Sequence, residues 1–510
     1  MTTGPFLLVL SAASIAQTGP ASEQTGQAAT QDSSEDANQV DPTKNAKVKS
    51  DQTARPGVSA EALEEGNGKN TQSAPAPGQA SALVQSPDET NGLLWIPRIL
   101  FFPLRLAFLI PGYTVEGLAW FFDRYRVRAL AESIFFNEDG TFGVFPTVVF
   151  QSGFGINYGA RMIYRDIFGN DERLALTAGF GGQFQQVYSA SLKSGQLFGE
   201  RLNVELRGNY ERQPIARFFG VGNNSELIDD EDFAPEPLLD PNLNPVAVDT
   251  RYGEERGVAR LRMSYRVAGS LRLRFQSKID VRRFSSVQRN EEDFASTDDV
   301  YDVALLTTWN EGQNNILNEA GLVFDNRRTA NRFISDATPS EGFRLEAFGG
   351  FVQGFNGDPS QHWRIGTDLT AIVDLFHGDR NLVFHLYSVG VTNDLDEVPF
   401  TALPTIGGTL LLRGYNPGRF RDRLAAVGSV EYQYALNSFS KAYAFVDAGR
   451  VWRRLDDLSL DDLNLGYGFG FQAHTQKSFL MRFDVSGSSD GLRVALSFNP
   501  LYEDSPTERL

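Results

Sequence analysis

Four histidines, His362, His377, His385 and His474, are the residues of this 510-residue chain best suited to hold a metal or move a proton. Metal chemistry would need them in an HxH or HExxH spacing, and none is so placed. Cysteine is absent, which removes thiolate zinc sites, cysteine nucleophiles and disulfides together. No Ser and Asp gather around a histidine as a nucleophilic triad would require. The sequence therefore predicts no enzyme, no cofactor and no resident metal. What remains is the chemistry of charge. Arg260, Arg262, Arg266, Arg272, Arg274 and Arg282 recur at even positions. They would either select anions or be neutralised by carboxylates on the same face, such as Asp280; the second reading is favoured.

The elements that position these charges follow from the spacing. From Val258 to Arg282, Ala259, Leu261, Met263, Tyr265 and Val267 alternate with arginine and serine, and the parity resumes after a Gly269-Ser270 turn. A period of two means extended strand with one apolar and one charged face. Repeated over most of a chain, it predicts an all-β fold: a transmembrane, antiparallel, up-and-down β-barrel with lipid outside and a wet lumen inside. Candidate strands fall near 142–151, 153–166, 173–190, 201–213, 251–268, 270–284, 300–309, 316–325, 342–356, 361–376, 381–393, 426–436, 441–453, 463–474, 477–487 and 491–498, about 16 in all. Long connections are expected at 214–250, 285–299, 326–341 and 394–425. Barrels keep long loops on one rim, yet the first three follow even-numbered candidates and the last an odd one. That places a miscounted boundary between 325 and 394. The first connection is acidic (Glu226, Asp229, Asp230, Glu231, Asp232) and reads as a solvated loop rather than a cation site.

Composition agrees. A net charge of −17 argues against nucleic-acid binding by the whole chain. Aromatic residues are plentiful, with 39 Phe and 16 Tyr, as rim girdles require. A mean hydropathy of −0.28 fits a barrel, which needs apolar residues only at alternate positions. Ahead of the barrel, residues 1–16 resemble a secretory signal peptide that lacks a basic residue before its apolar core. Residues 17–90 are too polar to offset the entropy of ordering and read as disordered. Residues 91–130 are apolar but broken by Pro97, Pro103 and Pro111, predicting short helices that lie on the membrane surface at the periplasmic rim or plug the barrel mouth; the rim is favoured. The barrel is expected over 141–498, followed by a polar tail at 499–510.

Late in the chain stand Leu411-Leu412-Arg413-Gly414-Tyr415 and, one hairpin on, Phe445-Val446-Asp447-Ala448-Gly449. Upstream are Asp325-Asn326-Arg327 and Pro339-Ser340-Glu341-Gly342. Together these resemble the BamA/TamA-type outer-membrane barrel superfamily, the bacterial surface antigen family, over roughly Thr141 to Phe498. Arg-Gly-Tyr alone is a weak signal; paired with Phe-x-Asp-x-Gly on the second strand after it, the signal is strong. Phe445, Asp447 and Gly449 are two apart and share a strand face. An aspartate facing lipid is costly, but facing the lumen it can meet a cation. A loop folded into the lumen would let Arg413 pair bidentately with Asp447, with Glu431 as a second partner, and Gly449 would leave room for an approaching backbone. The resemblance implies that the loop is held inside the barrel by such a contact.

The resemblance also implies a place in the bacterial outer membrane, contact with the lipid bilayer and lipopolysaccharide, and work in protein or lipid assembly or translocation with client polypeptides or periplasmic factors. The barrel itself is expected to be monomeric. The alternative is a passive diffusion pore or structural surface barrel. Where the family usually carries folded POTRA repeats, this chain has only the polar tract and the apolar segment, which is similar to the subgroup lacking such repeats. The closing strand is followed by a polar tail where family barrels typically stop near a terminal aromatic. Finally, Pro146 in the first strand cannot donate a ladder hydrogen bond. If that strand closes against Leu492–Phe498, the seam is weakened there; if Pro146 faces the second strand or a bulge, it is not.

Overall fold

The period-two pattern becomes sixteen long strands. They are β1 (Phe142–Gln151), β2 (Gly155–Arg165), β3 (Arg173–Gly181), β4 (Gln186–Lys193), β5 (Leu202–Phe218) and β6 (Thr250–Ala268). Next come β7 (Leu271–Ser285), β8 (Gln313–Asp325), β9 (Gly342–Gly354), β10 (Gln361–Phe376) and β11 (Arg380–Val391). The last are β12 (Leu424–Asn437), β13 (Ser440–Trp452), β14 (Asn464–His474), β15 (Phe479–Ser488) and β16 (Gly491–Ser497). All belong to a single antiparallel sheet ordered as they occur in the chain, with β1 and β16 at its two ends.

The computed structural model describes residues 133–497 apart from breaks at 152–154, 183–184, 196, 199–200, 225, 229–237, 244–245, 288–294, 330–337 and 475–478, together with positions 113, 114, 117 and 124. The expected signal peptide 1–16, the polar tract 17–90, all but those four positions of 91–130, Phe498 and the tail 499–510 lie outside the described residues.

One face of the sheet exposes Val144, Leu176, Leu206, Ile279, Leu322, Leu386 and Val446. The other holds charge and is buried over β7–β15, where Glu319, Glu346, Asp368, Glu431 and Asp447 are each at most 2% exposed. Apolar outside and polar inside is the arrangement of a transmembrane up-and-down barrel. Two aromatic belts bound the apolar band, as membrane interfaces favour. Tyr188 sits between Phe180 and Tyr210 at one rim, where Phe351 also meets Trp363. At the other rim Phe142 meets Tyr164 and Phe324 meets Phe343. Among the described residues no helix is long and apolar enough to cross a membrane; the strands do the crossing.

The strand total agrees with expectation through two compensating departures. The stretch expected as one strand at 173–190 is two, β3 and β4, parted by a turn at Gly181 and Gly182, both with positive φ. The stretch at 300–309 is no strand. It holds the end of a short helix (Thr297–Val300) and a 3-10 turn (Val303–Leu305), and its apolar residues Val300, Tyr301, Leu306 and Trp309 pack with Phe218, Tyr252 and Phe400 in a cap over the barrel end. The long connections after β5, β7 and β11 therefore share one rim, and that after β8 (326–341) belongs to the opposite one. The miscounts lay before residue 310, not between 325 and 394. At the start of the barrel, Phe136 stacks on Phe145 with ring centroids 6.2 Å apart and joins Ile163 and Ala175, so the chain enters along the lumen face of β1–β3.

Candidate functional site

The connection between β11 and β12 runs back across the lumen face of the later strands. Two short strands, Thr405–Ile406 and Phe420–Arg421, pair and close its base. Within it Leu411, Leu412, Tyr415 and Phe420 bury against Phe348, Tyr387 and Val427 of the wall. This apolar seat carries the backbone inward. Leu412 adopts a φ of +57° and Gly414 one of +101°, and the chain presents Arg413 between them.

Arg413 is 3% exposed and meets two carboxylates. Its Nε donates to Asp447 Oδ2 at 2.8 Å and its Nη2 to Asp447 Oδ1 at 2.7 Å, a bidentate pair; its own backbone N–H adds a third bond to Oδ2 at 2.9 Å. Nη1 donates to Glu431 Oε2 at 2.8 Å and Nη2 to Ser429 Oγ at 2.9 Å, while the Ser429 hydroxyl donates to Asp447 Oδ1 at 2.6 Å. The guanidinium lies 3.4 Å above the centroid of Phe445. Register explains the convergence: Ser429 stands opposite Asp447, and Glu431 opposite Phe445, on the neighbouring strands β12 and β13. Beyond Glu431 the network continues. Arg482 Nη2 reaches Glu431 Oε2 at 2.7 Å, Arg482 Nε reaches Asp484 at 3.2 Å, and Tyr443 donates to Asp484 at 2.6 Å.

At Gly449 a Cβ would meet the Val427 side chain at 2.9 Å, the Ala426 backbone carbonyl of β12 at 3.2 Å and the Ile406 side chain of the connection at 3.2 Å, so the backbone that comes close there is that of the neighbouring strand. The loop backbone approaches at Gly466 on β14, where a Cβ would lie 1.9 Å from the Arg413 carbonyl oxygen. Gly468 and Gly470 continue the same face and leave room for the Phe445 and Tyr443 rings. Three glycines at a spacing of two, Gly466-x-Gly468-x-Gly470, were the sequence signal for this groove.

The loop's far side is tied to the final hairpin. Ser488 donates to the Gly414 carbonyl at 2.8 Å, Tyr415 Oη lies 3.1 Å from Ser489 Oγ, and Arg419 donates to Asp490 at 2.9 Å. Burial pushes the Asp490 and Asp422 carboxyls upward, against the pull of Arg419 on the first and Arg453 on the second. The Asp325 and Arg327 pair is bidentate, at 3.0 Å twice, and with Gly342 at φ +100° it closes the 326–341 connection at the opposite rim. Of the histidines, His362, His385 and His474 are buried on strands β10, β11 and β14, His385 lying 3.2 Å from Asp368, while His377 turns between β10 and β11.

Pro146 pairs with Ala160 of β2. Arg165 N–H donates to Thr141 O, while the Phe142 carbonyl accepts from Asn137 N–H on the other side. Backbone groups alternate in an antiparallel ladder, so Pro146, two registers of two from Phe142, turns its missing donor to the free edge of β1. The alternative in which it faces β2 is excluded.

A model of the Omp85 superfamily domain matches residues 166–486. The chain belongs to the Omp85 superfamily. Among solved structures it is similar to BamA from Haemophilus ducreyi lacking POTRA domains 1–3, at 14% identity and a TM-score of 0.47, covering 70% of this chain and 69% of that one. It is also similar to CdiB from Escherichia coli, at 11% identity and a TM-score of 0.44, covering 69% and 62% respectively. A search of curated proteins finds no match. The Omp85 match contains the whole Arg413 network, whereas β1 with Pro146 and strand β16 fall outside it.

Proposed function

We propose that this Omp85 barrel serves protein or lipid assembly or translocation at the bacterial outer membrane, and that Arg413 locks the β11–β12 connection inside the lumen. The observation that carries the reading is the geometry of Arg413. A buried guanidinium that engages Asp447 bidentately and Glu431 and Ser429 besides holds a loop in one register far better than it raises stability. A seated loop obstructs a wide pore, and a barrel meant for free diffusion has little use for one. Lipid bilayer and lipopolysaccharide surround the barrel in this reading. Its clients are polypeptides or lipids, periplasmic factors assist, and the barrel acts as a monomer. A missing donor at the free edge, at Pro146, weakens the β1–β16 seam through which a client would pass sideways.

The test is single-channel conductance of the refolded chain in planar bilayers, wild type beside Arg413→Ala. Small flickering currents that become large and steady in the variant are expected. A large steady conductance in both would make the chain a passive pore or structural barrel. For the seam, Pro146→Val should raise cross-linking yield between β1 and β16; an unchanged yield would remove Pro146 from the account.

A further inference from the structure

The lumen wall of β2–β7 differs from the rest of the barrel in carrying cations abreast. Arg207 on β5 stands directly opposite Arg260 on β6, and Arg260 directly opposite Lys278 on β7. Like charges in directly opposed cross-strand positions destabilise a sheet, so this row is maintained at a cost. Arg161 faces the same side from β2, whereas the nearby Arg262 and Arg256 of β6 stand opposite carboxylates, Glu205 and Glu211 of β5. Among the described residues the carboxylates of this wall are Glu205, Glu211, Glu254 and Asp280. Asp280 alone draws in Arg256 at 3.0 Å, Lys278 at 3.4 Å and Arg282 at 3.0 Å. The cationic excess arises in a chain whose net charge is −17, so bulk composition does not explain it. Arg207 is exposed, unlike the buried charges under the Arg413 loop.

We propose that this wall, centred on Arg207, Arg260 and Lys278, is a binding surface for multivalent phosphate-type anions. Three cations on adjacent strands stand at the cross-strand spacing of about 5 Å, close enough for one polyphosphate group to reach more than one of them. Low-dielectric walls around a cationic lining focus its field and raise the local anion concentration. The phosphate could be free in solution or borne on a lipid headgroup, and both present the same oxygens to the same guanidinium groups.

The experiment is equilibrium dialysis of inorganic pyrophosphate against the refolded full chain in neutral detergent, for wild type, Arg207→Ser/Arg260→Ser and Arg207→Lys/Arg260→Lys. Saturable binding is expected in wild type, weakened about tenfold per arginine lost in the serine variant and largely kept in the lysine variant. Mixed micelles containing phosphatidylglycerol form the second arm: competition with pyrophosphate there assigns the site to lipid headgroups as well, and its absence assigns it to free phosphates. No saturable binding in either arm, or binding equal in wild type and serine variant, would overturn the proposal. None of these outcomes depends on the Arg413 lock, which is read by conductance.

Discussion

The two sides of the lumen use one face of one sheet differently. Over β8–β15 most charges engage an opposite one within a dense network, with the buried Lys441 of β13 an exception near the far rim. Glu319 takes Arg274 and Arg364, Glu346 takes Arg344, Asp368 takes His385, and Glu431 takes both Arg413 and Arg482. A loop covers that side, and its groups are buried. Over β2–β7 much of the wall is only partly buried, cations dominate, and a single carboxylate, Asp280, serves three of them. Burial accounts for the contrast. An isolated ion cannot be taken from water cheaply, so a covered wall must be charge-balanced. A wet wall is under no such demand and can keep an unbalanced charge for use.

The largest break in this comparison should come from Asp447→Ala. It leaves the covered Arg413 guanidinium with Glu431, already shared with Arg482, as its one carboxylate and is expected to cost about 3–5 kcal/mol, read as a fall in the urea midpoint of the folded barrel. Adding Arg413→Ala to it should recover part of that loss, because the poorly paired charge is gone; strict additivity in the double-mutant cycle would show that the two are not coupled. Next is Gly466→Val, whose Cβ would meet the Arg413 carbonyl at 1.9 Å. Overpacking of about 1–3 kcal/mol is expected, with the 392–423 connection becoming open to protease while the strands stay protected. Cleavage identical to wild type would mean that the loop finds room elsewhere.

The smallest effect concerns pH. Asp379, in the turn between β10 and β11, is pushed up to about 7 by burial, against the pull of Arg380, His377 and Lys441. A carboxyl raised in the folded state stabilises fully below its unfolded value of about 3.9 and loses that contribution as pH rises through the folded one. Thermal stability should therefore decline between about pH 4 and pH 7 in wild type, and less steeply in Asp379→Asn. Equal slopes would place the titrating group elsewhere.

Much of this was legible in the residues because the lipid imposes a strict period of two. Strand parity, the shared face of Phe445 and Asp447, and the partners of Arg413 follow from that period together with the family resemblance. Where lipid exerts no demand, the reading failed. Beyond the rim, Val300, Tyr301, Leu306 and Trp309 are apolar because they fill a cap against Phe218 and Phe400, and their spacing passed for a strand. At Gly181 and Gly182 the reverse held: a turn made of glycines without Pro or Asn was absorbed into one long strand. The groove at Gly466, Gly468 and Gly470 went unread because a missing side chain shows its purpose only when the group that fills the space is known.

The ties between the loop and the final hairpin bear on the order of folding. The Gly414 carbonyl waits for a hydroxyl 74 residues later in the chain, at Ser488, and Arg419 for a carboxylate 71 residues later, at Asp490. Asp447 itself follows Arg413 by 34 residues. Contacts of such separation must overcome loop-closure entropy before they contribute anything. A nascent barrel that ends short of β15 thus lacks the hairpin that ties down the loop's far side. The loop's docking is among the last events of assembly and reports that the wall is whole.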